Sequence, residues 1–316
     1  MRLYEFEAKE LFRKLRIPTA EGVLTDSVDS AISKTKELGL PRVLKAQVLT
    51  GGRGKAGGIM IVRSEDQVEK AARALFEMTI KGFPVQRVLI DPFLDIEKEF
   101  YLGVTIDRAN YKLVMIACAE GGVEIEETAR KNPEKIMRLA LDIDENLMSF
   151  DAIKVGKFLG LSGDQLKAFM PIAVNLYRLF KSYDAKLVEI NPLVLTKNGQ
   201  LIAADARMSI DDDALFRHKD LQEMGIEKRH EEGEMTPRER QAREWGIPYL
   251  DLDGDIGMFP GGAGFGIMGN DFIHYYGGRP ANFMDSGGGP SPERIAKMLI
   301  LLDENPNVKA IFGARF

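Results

Sequence analysis

A chain of 316 residues has room for two domains. Its 45% hydrophobic and 29% charged content fits an ordinary folded protein, and a net charge of -5 gives no case for general nucleic-acid binding. The single cysteine excludes an internal disulfide framework and fits a reducing cytosol. That cysteine, Cys118, sits in the apolar run Leu113–Ala119 and reads as a core residue. Met1–Lys9 is too acidic, and too short in apolar length, for a signal peptide, and no apolar run approaches the ~18 residues of a membrane span. The expectation is a cytoplasmic protein without membrane contact.

In chain order, Tyr4, Ala8, Leu11, Phe12 and Leu15 recur at helical spacing, and Pro18 closes that helix. Arg42–Val48 predicts a strand running into a glycine loop, with Gly58–Val62 as its return. Ser64 and Gln67 predict a capping box ahead of Val68, Ala71, Ala72, Leu75 and Phe76. Val85–Ile90, Glu99–Ile106 and Leu113–Ala119 read as strands, with a turn at Asp107–Asn110. Pro133–Leu141 reads as a helix. Leu166, Phe169, Met170, Ala173, Val174, Tyr177 and Phe180 form an amphipathic helix capped near Ser162. Leu187–Leu195 and Leu201–Asp205 form a hairpin across Lys197-Asn-Gly199.

Residues 211 to 244 are charge-rich, and Arg229–Glu234 and Pro237–Arg240 read as a solvated connector. The expected domains are 1–235 and 246–316. Strands within Tyr249–Met258, a helix between Gly261 and Gly278, a strand near Asn282, a helix Ser291–Leu302 and a strand Val308–Phe312 alternate as β-α-β-α-β. That order predicts a parallel sheet. The chain stops at Phe316 directly after a strand, so the second domain is expected to be cut short.

Two segments carry the chemistry. Lys45 is followed by Gly51-Gly-Arg-Gly-Lys-Ala-Gly-Gly58, a basic glycine turn between two strands. It lacks the Gly-Lys-Ser/Thr helix start of a P-loop. Its backbone N–H groups can approach phosphates closely, and Lys45, Arg53 and Lys55 add charge. The alternatives are a plain hairpin loop and an exposed strand lysine. Asp91 and Glu99 follow the next strand and could accept from a nucleotide amine and ribose hydroxyls, or only from solvent. Downstream, Glu189 and Asn191 share one face of a strand, and Asp205 ends its partner strand. Asn191 and Asp205 are hard oxygen ligands suited to Mg2+ on a nucleotide phosphate. The alternative is a structural hydrogen-bond network. Together the segments suggest ATP chemistry.

The remaining signals are weaker. Ala119–Glu127 is an acidic turn or part of a partner surface. Gly261–Gly266 and Gly287–Ser291 each open a helix, and such ends attract anions. His218, His230 and His274 show no metal-ligand spacing, and no catalytic nucleophile is evident on this chain.

The runs Leu3–Lys9, Gly51–Gly58, Glu120–Glu126, Glu189–Leu193, Ala214–Arg217 and Pro280–Asp285 resemble the β subunit of succinyl-CoA synthetase, an ADP-forming acid–CoA ligase. The resemblance extends over almost the whole chain. It implies an α/β fold: α+β ATP-grasp lobes, then a flavodoxin-like CoA-ligase domain with a parallel sheet. It implies ATP and Mg2+, and a hetero-oligomer with an α subunit that binds CoA and carries the phosphorylated histidine. By motif, Lys45, Gly52, Arg53, Gly54, Asp91, Leu94 and Glu99 fall on the family's ATP site, and Asn191 and Asp205 on its Mg2+ ligands. Asp91 stands where the family usually has the longer Glu. Gly261 stands where succinate enzymes carry an Asn that contacts the acid. Citryl-CoA synthetase and ATP-citrate lyase chains also lack that Asn, and Gly289-Pro-Ser291 resembles their pattern. The reading is therefore a succinate–CoA ligase subunit, with citrate as the alternative acid and malate behind it. Rivals are an inactive nucleotide-binding or assembly fragment and an ATP-grasp carboxylate–amine ligase. The second domain disfavours the last.

Overall fold

A computed structural model describes residues 1–122, 125–226 and 235–314. The chain falls into two compact units, Met1–His230 and Glu231–Phe316, each described by itself.

The first unit is built on two antiparallel sheets. The smaller has the order Val23–Thr25, Val88–Pro92, Arg42–Ala46, Ile59–Val62. Helix Glu65–Phe76 packs on it because Val68, Ala71, Ala72 and Leu75 fall on one stripe, and all four are buried. With Ala31 of helix Val28–Leu38 they close a core around Leu44 and Ile90. Ser64 occupies the N-cap position of Glu65–Phe76, but its hydroxyl makes no cap bond; Gln67 Oε1 instead accepts from the Arg63 N–H at 2.8 Å. The expected capping box is thus half formed and one residue displaced.

The larger sheet runs Leu201–Ala203, Ala185–Thr196, Ile96–Asp107, Lys112–Cys118, Ile136–Leu141, with Arg207–Ile210 also paired to Ala185–Thr196. Helix Gly163–Ser182 buries Phe169, Ile172, Ala173, Leu176, Tyr177 and Phe180 in the core beneath it. Helix Ser149–Phe158 lies close by through Gly156, where a Cβ would stand 2.4 Å from Leu166. Cys118 is wholly buried, as expected.

The helix expected over Pro133–Leu141 is corrected. Only Pro133–Lys135 make a short 3-10 turn; Ile136–Leu141 is a strand paired residue by residue with Lys112–Cys118. A short apolar run suits either period, and the open edge of the sheet decides it. The hairpin partner of Ala185–Thr196 ends at Ala203, so Asp205 lies past that strand, in the crossing to Arg207–Ile210.

The charged connector is largely structured where it is described. Asp212–Arg217 is a 3-10 helix, Lys219–Glu223 a short α-helix, and Pro237–Glu244 a helix whose Thr236 and Glu239 form a reciprocal capping box. Arg229–Glu234 lies outside the described residues. Helix Pro237–Glu244 belongs to the second unit, where Ala242 joins Ile247, Met284, Met298, Leu301 and Leu302 in the core.

In that unit Ile256–Pro260 pairs parallel with Ala310–Ala314, flanked in sequence by helices Ala263–Tyr275 and Pro292–Asp303. The strand Asn282–Met284 departs from the all-parallel expectation, because its backbone pairs antiparallel with Tyr249–Asp251. It joins the parallel pair through the backbone just before it, where the Ala281 N–H donates to the Ile256 carbonyl at 2.8 Å, and through a side chain. Buried Asn282 accepts from the Met258 N–H at 2.8 Å and donates to the Met258 carbonyl at 3.1 Å. Among the described residues no helix is long and apolar enough to cross a membrane.

Candidate nucleotide site

The glycine loop turns back on itself where Gly52 and Gly57 adopt φ of +81° and +79°, conformations that side chains rarely tolerate. A Cβ on Gly58 would lie 2.7 Å from the tip of Ile80 and 3.2 Å from the Arg53 carbonyl, so either would have to shift. The Ala46 N–H donates to the Gly58 carbonyl at 2.8 Å and closes the loop. This closure folds Arg53 inward, where it is 8% exposed and donates to the Ala46 carbonyl at 2.9 Å.

Beneath the loop lies a buried charge cluster. Glu5, on helix Glu5–Lys14, is its centre. Its carboxylate is 2.8 Å from Lys9 Nζ, 3.0 Å from Lys45 Nζ and 2.9 Å from the Arg53 guanidinium. Gln47 Nε2 also donates to it at 3.3 Å. Asp91 lies 2.6 Å from Lys9 Nζ and 2.7 Å from Lys45 Nζ. Burial pushes the Glu5 carboxyl up, but Lys45, Lys9 and Arg53 outweigh it and hold the group well below the usual carboxylate range. Burial alone would lower Lys45 and Arg53; Glu5, Asp91 and Asp205 reverse this and keep both firmly charged. Lys45 is therefore no exposed strand lysine.

Asp91 Oδ1 is buried without a hydrogen-bond partner. It fills the space beside Gly22, where a Cβ would stand 2.2 Å from it. Asp91 lines the cleft, but this oxygen faces Gly22, which does not.

The cleft above the cluster has a volume of about 580 Å³, within the range of small-molecule sites. Lys45, Gly52, Arg53, Gly54, Asp91, Leu94, Asn191 and Asp205 all line it. Glu99 is not among the lining residues; it stands beside Gly121 and Gly122, and its carbonyl accepts from the Gly121 N–H at 2.9 Å. One end is apolar, formed by Val43, Ile59, Ile61, Phe93, Leu94 and Ile96. Of these, Ile59, Ile61 and Ile96 are 37%, 52% and 40% exposed.

Asn191 and Asp205 each hold a donor at the cleft wall. Asn191 Oδ1 accepts from the Gly122 N–H at 2.8 Å, and both Asp205 oxygens lie 2.9 Å from one Arg53 nitrogen. Among the described residues, His, Cys, Asp and Glu side chains form no metal-holding group of three or more. Glu189 lines the same wall and accepts from the Tyr101 hydroxyl at 3.4 Å. Burial pushes its carboxyl up, and Arg207 only partly offsets this.

The other sequence signals divide. In the acidic turn, Glu126 lines the cleft, whereas Glu120 pairs with Lys135 at 2.6 Å; residues 123 and 124 lie outside the described residues. Gly261 follows strand Ile256–Pro260 in the second unit, and Gly262 caps the helix after it with φ +131°. The second glycine turn is fastened by Arg294, which donates to the Ser286 and Gly246 carbonyls at 2.9 Å each. His218 Nε2 is 2.7 Å from Asp184 and its ring stacks on Tyr183, a structural role. His274 is exposed, and His230 lies outside the described residues.

Sequence reasoning missed Glu5 and Lys9 as site residues. The signal was present: Glu5, Ala8, Lys9 and Phe12 share the i, i+3, i+4, i+7 stripe that the helix buries.

The ATP-grasp domain family matches residues 2–195. The chain is 46% identical over 312 residues to the succinate–CoA ligase [ADP-forming] subunit β of Ignicoccus hospitalis, covering 99% of this chain and 81% of that relative. It is 45% identical over 319 residues to the subunit of the same name from Aquifex aeolicus, again over 99% and 81%. In fold it is similar to ATP citrate lyase from Methanothrix soehngenii, with a TM-score of 0.65 at 20% identity over 99% of this chain and 80% of that one. The chain therefore belongs to the ATP-grasp family, within the β subunits of the ADP-forming succinate–CoA ligases.

Proposed function

We propose that the cleft of the first unit binds Mg-ATP, and that the chain works as the nucleotide-binding subunit that forms succinyl-CoA from succinate, CoA and ATP. The observation that supports the site most is the convergence of two buried cations, Lys45 and Arg53, with two hard oxygen ligands, Asn191 and Asp205, in one cleft. The residues fit the ligand. The apolar lining suits a base, and Asn191 with Asp205 suits an ion that takes its other ligands from phosphate and water. When bound, Mg2+ neutralises phosphate charge. Lys45, Arg53 and the loop N–H groups hold the phosphates in place, and the loop excludes water. The phosphoryl group is passed to a histidine of an α subunit, then to the acid, and CoA thiolate displaces it. The setting is cytoplasmic.

Binding tests the site. Arg53→Ala should weaken Mg-ATP about tenfold or more in calorimetric titration, since a charge-assisted bond is worth ~1.5–3 kcal/mol. Lys36→Ala, on the exposed face of helix Val28–Leu38, should leave it unchanged. Equal effects would reduce the loop to a turn.

Gly261 favours citrate as the second reading, because it removes the donor expected in succinate enzymes and leaves room for a bulkier acid. The test is kcat/KM for both acids in the complete complex. If the pocket takes citrate, Gly261→Asn should shift the preference toward succinate about tenfold. Strong wild-type preference for succinate, with no response to the substitution, would dismiss citrate.

A further inference from the structure

We propose that Arg53 and Asp205 form a latch that makes phosphate capture in this cleft depend on metal capture; the inference rests on the Mg-ATP reading above. Lys45 has three N–H groups and three acceptors already, the Ala204 carbonyl at 2.6 Å, Asp91 at 2.7 Å and Glu5 at 3.0 Å. Arg53 is held by both Asp205 oxygens and by Glu5, each at 2.9 Å. In this arrangement the two cations expected on phosphate are turned to the protein's own carboxylates.

The two carboxylates on Arg53 are not equivalent. The Glu5 side chain is 1% exposed and serves Lys9 and Lys45 as well, so stripping it of a cation is costly. The Asp205 side chain is 26% exposed, faces the cleft and lies between two strands. It can exchange a guanidinium for a metal ion and stay paired throughout. Asn191 repeats the pattern: its Oδ1 accepts from the Gly122 N–H, a second donor at the cleft wall. Asp205 and Asn191 would be the residues that hold a metal ion, and in doing so they would let go of Arg53 and the Gly122 N–H. The incoming phosphate takes the place of Asp205 at Arg53, and the metal takes the place of Arg53 at Asp205. Two ion pairs are exchanged and no charge is left alone. Nucleotide without metal meets a cleft whose donors remain engaged.

The experiment is calorimetric titration of the whole chain with ATP, once in EDTA and once with excess Mg2+. The proteins are wild type, Asp205→Asn, Arg53→Ala and the double variant, each checked for folding by thermal unfolding. Arg53→Gln replaces Arg53→Ala if the latter does not fold. The latch predicts that Asp205→Asn weakens Mg-ATP but tightens metal-free ATP about tenfold, and that this gain vanishes without Arg53. No gain in metal-free affinity overturns the latch. An equal gain with and without Arg53 also overturns it, since loss of a repelling charge then explains the effect. If Arg53 variants alter neither form of ATP, the cleft is not the phosphate site, and the reading beneath the latch fails with it.

Discussion

Glu5 and Lys9 stand one turn apart on the first helix with their charged atoms 2.8 Å apart, and both side chains are almost inaccessible. Lys9, Lys45 and Arg53 share one buried region with Glu5 and Asp91, so removing Glu5 leaves buried cations short of a partner. Glu5→Ala should cost about 3–5 kcal/mol in urea denaturation. Lys36→Ala, on an exposed helix face, should stay within about 0.5 kcal/mol. The sign with pH follows from the depressed pKa of Glu5. Its contribution is present above the unfolded value of about 4.3 and is lost as pH falls through the lower folded value. Glu5→Gln should flatten that acid limb; an unchanged limb would contradict the assigned role.

Glu189 behaves in the opposite sense. Its folded pKa is raised, chiefly by burial, so its ionised form opposes folding. That cost is complete above the folded value and disappears below the unfolded value of about 4.3. Glu189→Gln should raise the melting temperature at pH 7 and leave it unchanged near pH 4. A gain of equal size at both pH values would show that charge is not the cause.

Gly254 tests the packing of the second unit. A Cβ there would lie 2.1 Å from the carbonyl oxygens of both Arg279 and Pro280, which are backbone and cannot swing aside. Gly254→Ala should destabilise that unit by about 1–3 kcal/mol. The single tryptophan, Trp245, packs against the unit's core, so its fluorescence reports the transition. The urea midpoint should fall while Mg-ATP titration of the first unit stays as in wild type. An unchanged midpoint would mean that the close approach is easily relaxed.

The parts of this molecule that were legible in sequence are those where local chemistry and position agree. The glycine loop lies between two strands because Gly52 and Gly57 supply the turn and Arg53 folds back beneath it. Asn191 and Asp205 reach one cleft because Lys197-Asn-Gly199 turns the chain back along strand Ala185–Thr196. What escaped depends on partners distant in sequence. Ile136–Leu141 became a strand only because Lys112–Cys118 offered an edge. Asn282 ties two strands together through its amide, beside the short backbone bridge of Ile256 to Pro280. Lys45 looked like one cation approaching phosphate, and its engagement with Glu5, 40 residues earlier, appears only when the sheet and the first helix meet.

The most direct test of the account is phosphoryl transfer. The chain is combined with its α subunit, Mg2+ and ATP labelled at the γ-phosphate, and the products are separated under conditions that preserve phosphohistidine. The account predicts an acid-labile label on the α subunit and none on this chain. The label should discharge on addition of succinate and CoA with formation of succinyl-CoA, and labelling should fall at least tenfold with Arg53→Ala at limiting ATP. A label on this chain, or succinyl-CoA formed without labelling of the α subunit, would contradict it.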